Sequence, residues 1–197
     1  MSFLLGLTGS IGMGKSTTAR MFAEEGCAVW DADAAVHRLY ARGGAAVAPM
    51  GAAFPEAVED GGISRERLKE IIDRDPAALK AIEKIVHPLV AQDREAFIAG
   101  SETAIIVLDI PLLFENGYEK NVDAVACVTV SPNLQKQRVM ERGTMSEEQF
   151  EDILSRQMPN EEKVAHSDFI IETDTLEHAR AQVHDVVRKI RCGLADA

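Results

Sequence analysis

The chain has 197 residues, of which 46% are apolar and 27% charged, and its formal net charge is −11. That length and composition suit one domain with a core of its own and exclude collagen-like, coiled-coil and disordered chains. The acidic balance also argues against a nucleic-acid binder that relies on bulk positive charge, although local basic clusters can still hold small anions.

In chain order, Phe3–Thr8 (FLLGLT) is a near-continuous apolar run, the pattern of a strand covered on both faces. A glycine-rich turn follows, then a helix from Gly14 to about Glu25, with Gly26 placed as its C-cap. Cys27–Trp30 reads as the second strand and Ala34–Ala41 as the helix after it. Residues 42–62, rich in Gly, Ala and Pro, read as a linker. Helices are predicted over Arg65–Asp73 and Ala77–Gly100, the second kinked or restarted at Pro88. Strands are predicted at Ala104–Asp109, Asp123–Val130 and Asp168–Glu172. Asn133–Arg142, Glu147–Met158 and Leu176–Ile190 complete the helices, with Ser146 and Gln149 forming a capping box.

This alternation predicts an α/β fold around an open, five-stranded parallel sheet. The long stretch between the second and third strands holds too many helices for one crossover and reads as a helical insertion over one end of the sheet. A second, charged insertion runs from Arg138 to about Lys163. The three cysteines, Cys27, Cys127 and Cys192, include no C-x-x-C pair, so neither a disulfide framework nor a zinc site is expected. The first residues lack the basic region of a signal peptide, and no apolar run is long enough to span a bilayer. A reducing cytoplasm is the expected location, with no membrane contact.

The strongest chemical signal is Gly9-Ser10-Ile11-Gly12-Met13-Gly14-Lys15-Ser16, which fits G-x-x-x-x-G-K-[ST] between a strand and a helix. Gly9, Gly12 and Gly14 let the backbone wrap and aim N–H groups at phosphate oxygens, helped by the positive end of the helix. Lys15 is expected to reach the β- and γ-phosphates of a nucleotide as an exposed loop residue, Ser16 to offer its hydroxyl to Mg²⁺, and Thr17 to meet the α-phosphate. Asp109 ends the strand AIIVLD at the carboxyl edge, where a carboxylate can stand beside the metal. Asp31 and Asp33 follow the second strand at the same edge. One of them is free to accept the proton of an attacking hydroxyl while the other caps the next helix, and Asp33 is the better candidate. Arg138 and Arg142, four apart on one helix face, and Arg156 on the next helix are candidates to offset charge on a transferring phosphate. His87 is either cleft-facing or packed, and no histidine has metal-ligand spacing.

Taken together, LTGSIGMGKST (7–17), DADAAVHRLY (31–40), IVHPLV (85–90), LDIPLLFENG (108–117), QKQRVMERG (135–143), SRQMPNEEK (155–163) and SDFIIETDTLEHARAQV (167–183) resemble the dephospho-coenzyme A kinase family over nearly the whole chain. The resemblance implies a P-loop kinase fold, a three-layer sandwich with a core at about 1–33, 101–137 and 164–197, a helical acceptor-binding insertion at about 34–100 and a lid at about 138–163. It implies transfer of phosphate from ATP, with Mg²⁺, to the ribose 3′-hydroxyl of dephospho-CoA. By the same analogy Gly9 and Gly12, Met13, Gly14, Lys15, Ser16 and Thr17 hold ATP, joined by Arg142. Lys15, Asp33 and Arg138 act on the reaction, and Ser16 and Asp109 face the metal. Asp33, His87, Leu113 and Glu115 meet the acceptor, with residues 111–115 shaping that side. Glu172-Thr173-Asp174-Thr175 departs from the family in lacking an Asn-rich turn, which points to adenine recognition by backbone groups. A nucleoside monophosphate or shikimate-type kinase is the alternative on the same fold. DAD and the long insertion argue against it. A GTP-dependent switch lacks its N-K-x-D motif here, and intact Lys15, Ser16 and Asp33 argue against an inactive nucleotide-binding module. The expected partners are small molecules, with no nucleic acid and no obligate protein partner.

Overall fold

A computed structural model describes residues 2–195. The elements run β1 (Phe3–Thr8), α1 (Lys15–Glu24), β2 (Ala28–Asp31), α2 (Ala32–Tyr40), α3 (Val47–Ala53), β3 (Val58–Glu59), β4 (Gly62–Ile63), α4 (Arg65–Arg74) and α5 (Ala78–Gly100). They continue with β5 (Ile105–Asp109), β6 (Ala124–Thr129), α6 (Pro132–Glu141), α7 (Glu147–Arg156), α8 (Asn160–Ala165), β7 (Phe169–Glu172) and α9 (Leu176–Ala195). The chain divides into two compact units, one of Met1–Trp30 with Ser101–Ala197 and the other of Asp31–Gly100.

The first unit carries the five-stranded sheet, ordered β2-β5-β1-β6-β7. β1 pairs in parallel with β5 (Leu7 opposite Asp109) and with β6 (Thr8 opposite Cys127), and β6 pairs in parallel with β7. Helices cover both faces, which is why these strands are apolar throughout rather than alternating. Leu5, Leu7, Val107, Ala126, Val128 and Ile171 are fully buried on one side, packed with Phe22 of α1 and Val183 and Val187 of α9. Each of the Leu, Val, Ile and Phe side chains among them contributes about 1.5–3 kcal/mol. All five predicted strands are present, within one residue at each end.

The second unit has its own core of Leu39, Ala46, Met50, Ala57, Leu68, Ile71, Ile82 and Val86. Three expectations change here. Residues 42–62 are not a linker. They form α3 and the antiparallel β3–β4 hairpin, and Ala46, Met50 and Ala57 bury completely. The hairpin turns through Asp60 (φ 50°) and Gly61 (φ 78°), a two-residue loop with both φ values positive. Pro88 lies inside an uninterrupted α5, because its exposed position lets the helix carry one missing N–H without a restart. In the first unit, the charged stretch before β7 adds a short helix, α8. The Ser146–Gln149 capping box is formed at the head of α7 as the sequence predicts.

Candidate active site

In the first unit, β1 leads through Gly9–Gly14 into α1. Gly12 (φ 79°) and Gly14 (φ 89°) take backbone conformations that other residues resist. A Cβ at Gly12 would also stand 2.6 Å from a methyl of Val139. Gly14 is the N-cap of α1 and has no side chain to satisfy the first-turn N–H groups, so these are available to an external anion. Two bonds brace the loop from behind. The Gln135 amide donates to the Ile11 carbonyl (2.7 Å), and the Thr173 hydroxyl donates to the Met13 carbonyl (2.7 Å).

Lys15 and Asp109 come together as an ion pair. Leu7–Asp109 pairing puts the carboxylate at the carboxyl end of β5, beside the strand that feeds the loop. Asp109 is 1% exposed and the Lys15 side chain 15%, so Lys15 is not the exposed loop residue that the sequence suggests. It is half of a largely buried charge pair. Ser16 is exposed on the first turn of α1 and Thr17 is half-buried beside it.

Arg138 donates to the hydroxyl of Thr173 (3.1 Å) and to the carbonyls of Thr173 (2.6 Å) and Asp174 (3.4 Å). It thereby fixes the turn after β7, the segment in which the Asn-rich pattern is absent. Arg142 is exposed one turn later, and Arg156 pairs with Asp152 on its own helix at 2.9 Å. Glu115 meets the Lys163 ammonium (2.8 Å) and accepts from the Met158 N–H (2.9 Å). Burial pushes the Glu115 carboxyl up, but the bonds from Lys163 and from the backbone outweigh it, and its pKa lies below the usual value. Leu113 is fully buried and its side chain fills the space next to Gly6, so it packs rather than presenting a surface to a ligand.

In the second unit, Asp31 is the N-cap of α2, accepting from the Ala34 N–H at 2.9 Å. Asp33 lies exposed in the first turn. The division of labour expected for this pair therefore has its capping half in Asp31. His87 is exposed on α5, not packed in the core.

Sequence reading missed Gln135, Thr173 and Lys163. Lys163 is completely buried, holding Glu115 and donating to the Pro111 carbonyl at 3.4 Å, which also accepts from the Thr8 hydroxyl at 3.1 Å. In a run such as NEEKVA a lone Lys looks solvated, and no local signal marks it otherwise. Among the described residues no group of three or more His, Cys, Asp or Glu is placed to hold a metal. Ser16 and Asp109 still fit Mg²⁺, which in kinases takes few protein ligands and completes its shell with phosphate oxygens and water.

The family model and the curated relatives point to one family. The family model described as dephospho-CoA kinase matches residues 3–178. A protein of Ruegeria pomeroyi named dephospho-CoA kinase is 68% identical over 193 residues, covering 98% of each chain. A Thermus thermophilus crystal structure superposes with a TM-score of 0.85 at 31% identity, covering 95% of this chain and 97% of that one. The dephospho-CoA kinase of Campylobacter jejuni gives a TM-score of 0.68 at 25% identity, covering 96% and 97%.

Proposed function

The chain belongs to the dephospho-CoA kinase family, whose reaction moves the γ-phosphoryl group of ATP to the ribose 3′-hydroxyl of dephospho-CoA, and from that premise we propose how its residues divide the work. The glycine loop and the first turn of α1 cradle the β- and γ-phosphates through backbone N–H groups. Lys15 exchanges Asp109 for phosphate oxygens when ATP arrives. Ser16 and Asp109 would hold Mg²⁺, which supplies neutralisation of phosphate charge. Asp33 orients the acceptor hydroxyl and takes its proton as the new O3′–phosphorus bond forms and the bond to the β-phosphate oxygen breaks, releasing ADP. Arg138 and the exposed Arg142 offset charge on the transferring group from the α6 side. His87 and Glu115 serve the acceptor side, Glu115 by fixing the segment after β5, and Leu113 supports that segment by packing. The free thiols Cys27, Cys127 and Cys192 suit a cytoplasmic reaction.

The observation that carries this reading is the family match over residues 3–178, with Lys15 at the head of α1 beside Asp109. The test is ADP release from Mg·ATP with and without dephospho-CoA, with mass detection of the product. Dephospho-CoA-dependent release, and a product heavier by one phosphoryl group, is expected. A folded, ATP-binding protein that gives neither would overturn the reading.

A further inference from the structure

The glycine loop is held at two carbonyls, and each belongs to the peptide that precedes a glycine. The Gln135 amide donates to the Ile11 carbonyl and the Thr173 hydroxyl to the Met13 carbonyl, both at 2.7 Å. A trans peptide is planar and rigid, so its C=O and its N–H point opposite ways. Anchoring the Ile11 and Met13 carbonyls behind the loop therefore turns the Gly12 and Gly14 N–H groups outward. Neither N–H donates to a backbone acceptor among the described residues, whereas the Met13 N–H between them is taken by the Ser10 carbonyl at 3.2 Å.

The same two residues fill the space behind the glycines. A Cβ on Gly12 would stand 3.1 Å from the Gln135 carbonyl and 3.3 Å from its side chain. A Cβ on Gly14 would stand 3.1–3.3 Å from three atoms of the Thr173 side chain. Gln135 and Thr173 are 5% and 6% exposed, so water does not compete for either bond. Thr173 is itself fixed. Its N–H donates to the Thr129 carbonyl of β6 at 2.9 Å, and Gln182 of α9 exchanges two bonds with the backbone of Glu172, at 3.0 and 2.9 Å. Arg138, three residues after Gln135 on the same face of α6, donates to the Thr173 hydroxyl at 3.1 Å and to its carbonyl at 2.6 Å. A hydroxyl that accepts from a cation donates more strongly to its own acceptor, here the Met13 carbonyl.

We propose that Gln135 and Thr173 are positioning residues for phosphate binding. They set the Gly12 and Gly14 N–H groups toward the phosphates before the nucleotide arrives, and Arg138 holds Thr173 for that task. Donors fixed in advance need no reordering when the anion binds. The proposal rests on the reading of the loop as the phosphate cradle for ATP. It gives the Thr173 side chain a task at the phosphates, separate from recognition of the base.

The experiment uses the full chain with three variants. Thr173→Val keeps the shape and loses the hydroxyl, Thr173→Ser keeps the hydroxyl, and Gln135→Met removes the amide donor at similar length. Calorimetry gives Kd for ADP and for AMP, which lacks the β-phosphate, and ADP release gives KM for each substrate. Thr173→Val and Gln135→Met should each weaken ADP binding and raise KM for ATP about three- to tenfold, with AMP binding and KM for dephospho-CoA little changed. Thr173→Ser should behave as the wild type. The two braces lie on different elements, so either site tests the proposal if a variant at the other fails to fold. Unchanged ADP binding in Thr173→Val and Gln135→Met overturns the proposal. Equal losses for ADP and AMP overturn it too, by placing the effect at the nucleoside, as does a serine variant as impaired as the valine one. A wild type that binds ADP without dephospho-CoA-dependent ADP release would sink the acceptor reading and leave the ADP and AMP comparison intact. A wild type that binds no ADP would sink the cradle reading itself.

Discussion

At the scale of single residues, the Lys15–Asp109 pair couples stability to activity. Removing one partner of a buried pair leaves the other charge poorly compensated, a loss of about 3 kcal/mol. Lys15→Ala should therefore lower kcat by about 100-fold or more and also lower the melting temperature. Adding Asp109→Asn removes the buried negative charge that Lys15 balances and should recover part of the melting temperature without recovering turnover. Calorimetry alongside the ADP assay checks this, and an unchanged melting temperature in Lys15→Ala would show that the pair contributes nothing to the fold. The cysteines give a second residue-scale prediction. Burial pushes the thiols of Cys27 and Cys127 up to about 11, whereas Cys192 is exposed on α9. Thiolate, not thiol, reacts with disulfide reagents. A native titration at pH 8 should thus label Cys192 promptly and the other two only on unfolding, and Cys192→Ser should abolish the fast phase.

At the scale of elements, the Lys163–Glu115 bond ties α8 to the segment that follows β5. Lys163→Met would strand Glu115 and should destabilise the chain by about 3–5 kcal/mol, while Lys163→Met with Glu115→Leu should restore much of that loss, as read by urea unfolding. The same bond sets a pH dependence. Because the Glu115 pKa is lowered in the folded state, its stabilisation is present above the unfolded carboxyl value of about 4.3 and is lost as pH falls through the lower folded value. Glu115→Gln should be less stable than wild type at pH 7, with the gap narrowing below about pH 4. Sequence patterns foretold the elements that depend on local periodicity: the five strands, α1, and the capping box of α7. They also brought Lys15 and Asp109 to the same sheet edge, since both follow parallel strands at their carboxyl ends. Asp60-Gly61 was a legible hairpin signal, but the surrounding Gly, Ala and Pro suggested a linker. Lys163 and Thr173 were not legible, because their partners lie far away in sequence: Glu115 for the first, Met13 and Arg138 for the second. Only the tertiary fold brings those groups together.

At the scale of the whole molecule, a net charge of −11 opposes the approach of two anionic substrates. Binding must then depend on local groups that act at contact distance. The two units divide those groups: the phosphate-cradling loop and Lys15 lie in the first, and Asp33 in the second. Each unit has its own buried cluster, so each has amides that can be protected separately. A ligand slows exchange where it binds the native state, by an amount set by its concentration relative to Kd. ATP alone should therefore slow exchange over residues 9–18, whereas dephospho-CoA alone should slow it over α2, which carries Asp33. Hydrogen exchange read by mass spectrometry on the full chain distinguishes these segments. If ATP protected α2 while leaving the glycine loop unchanged, the division of substrates between the two units would be refuted.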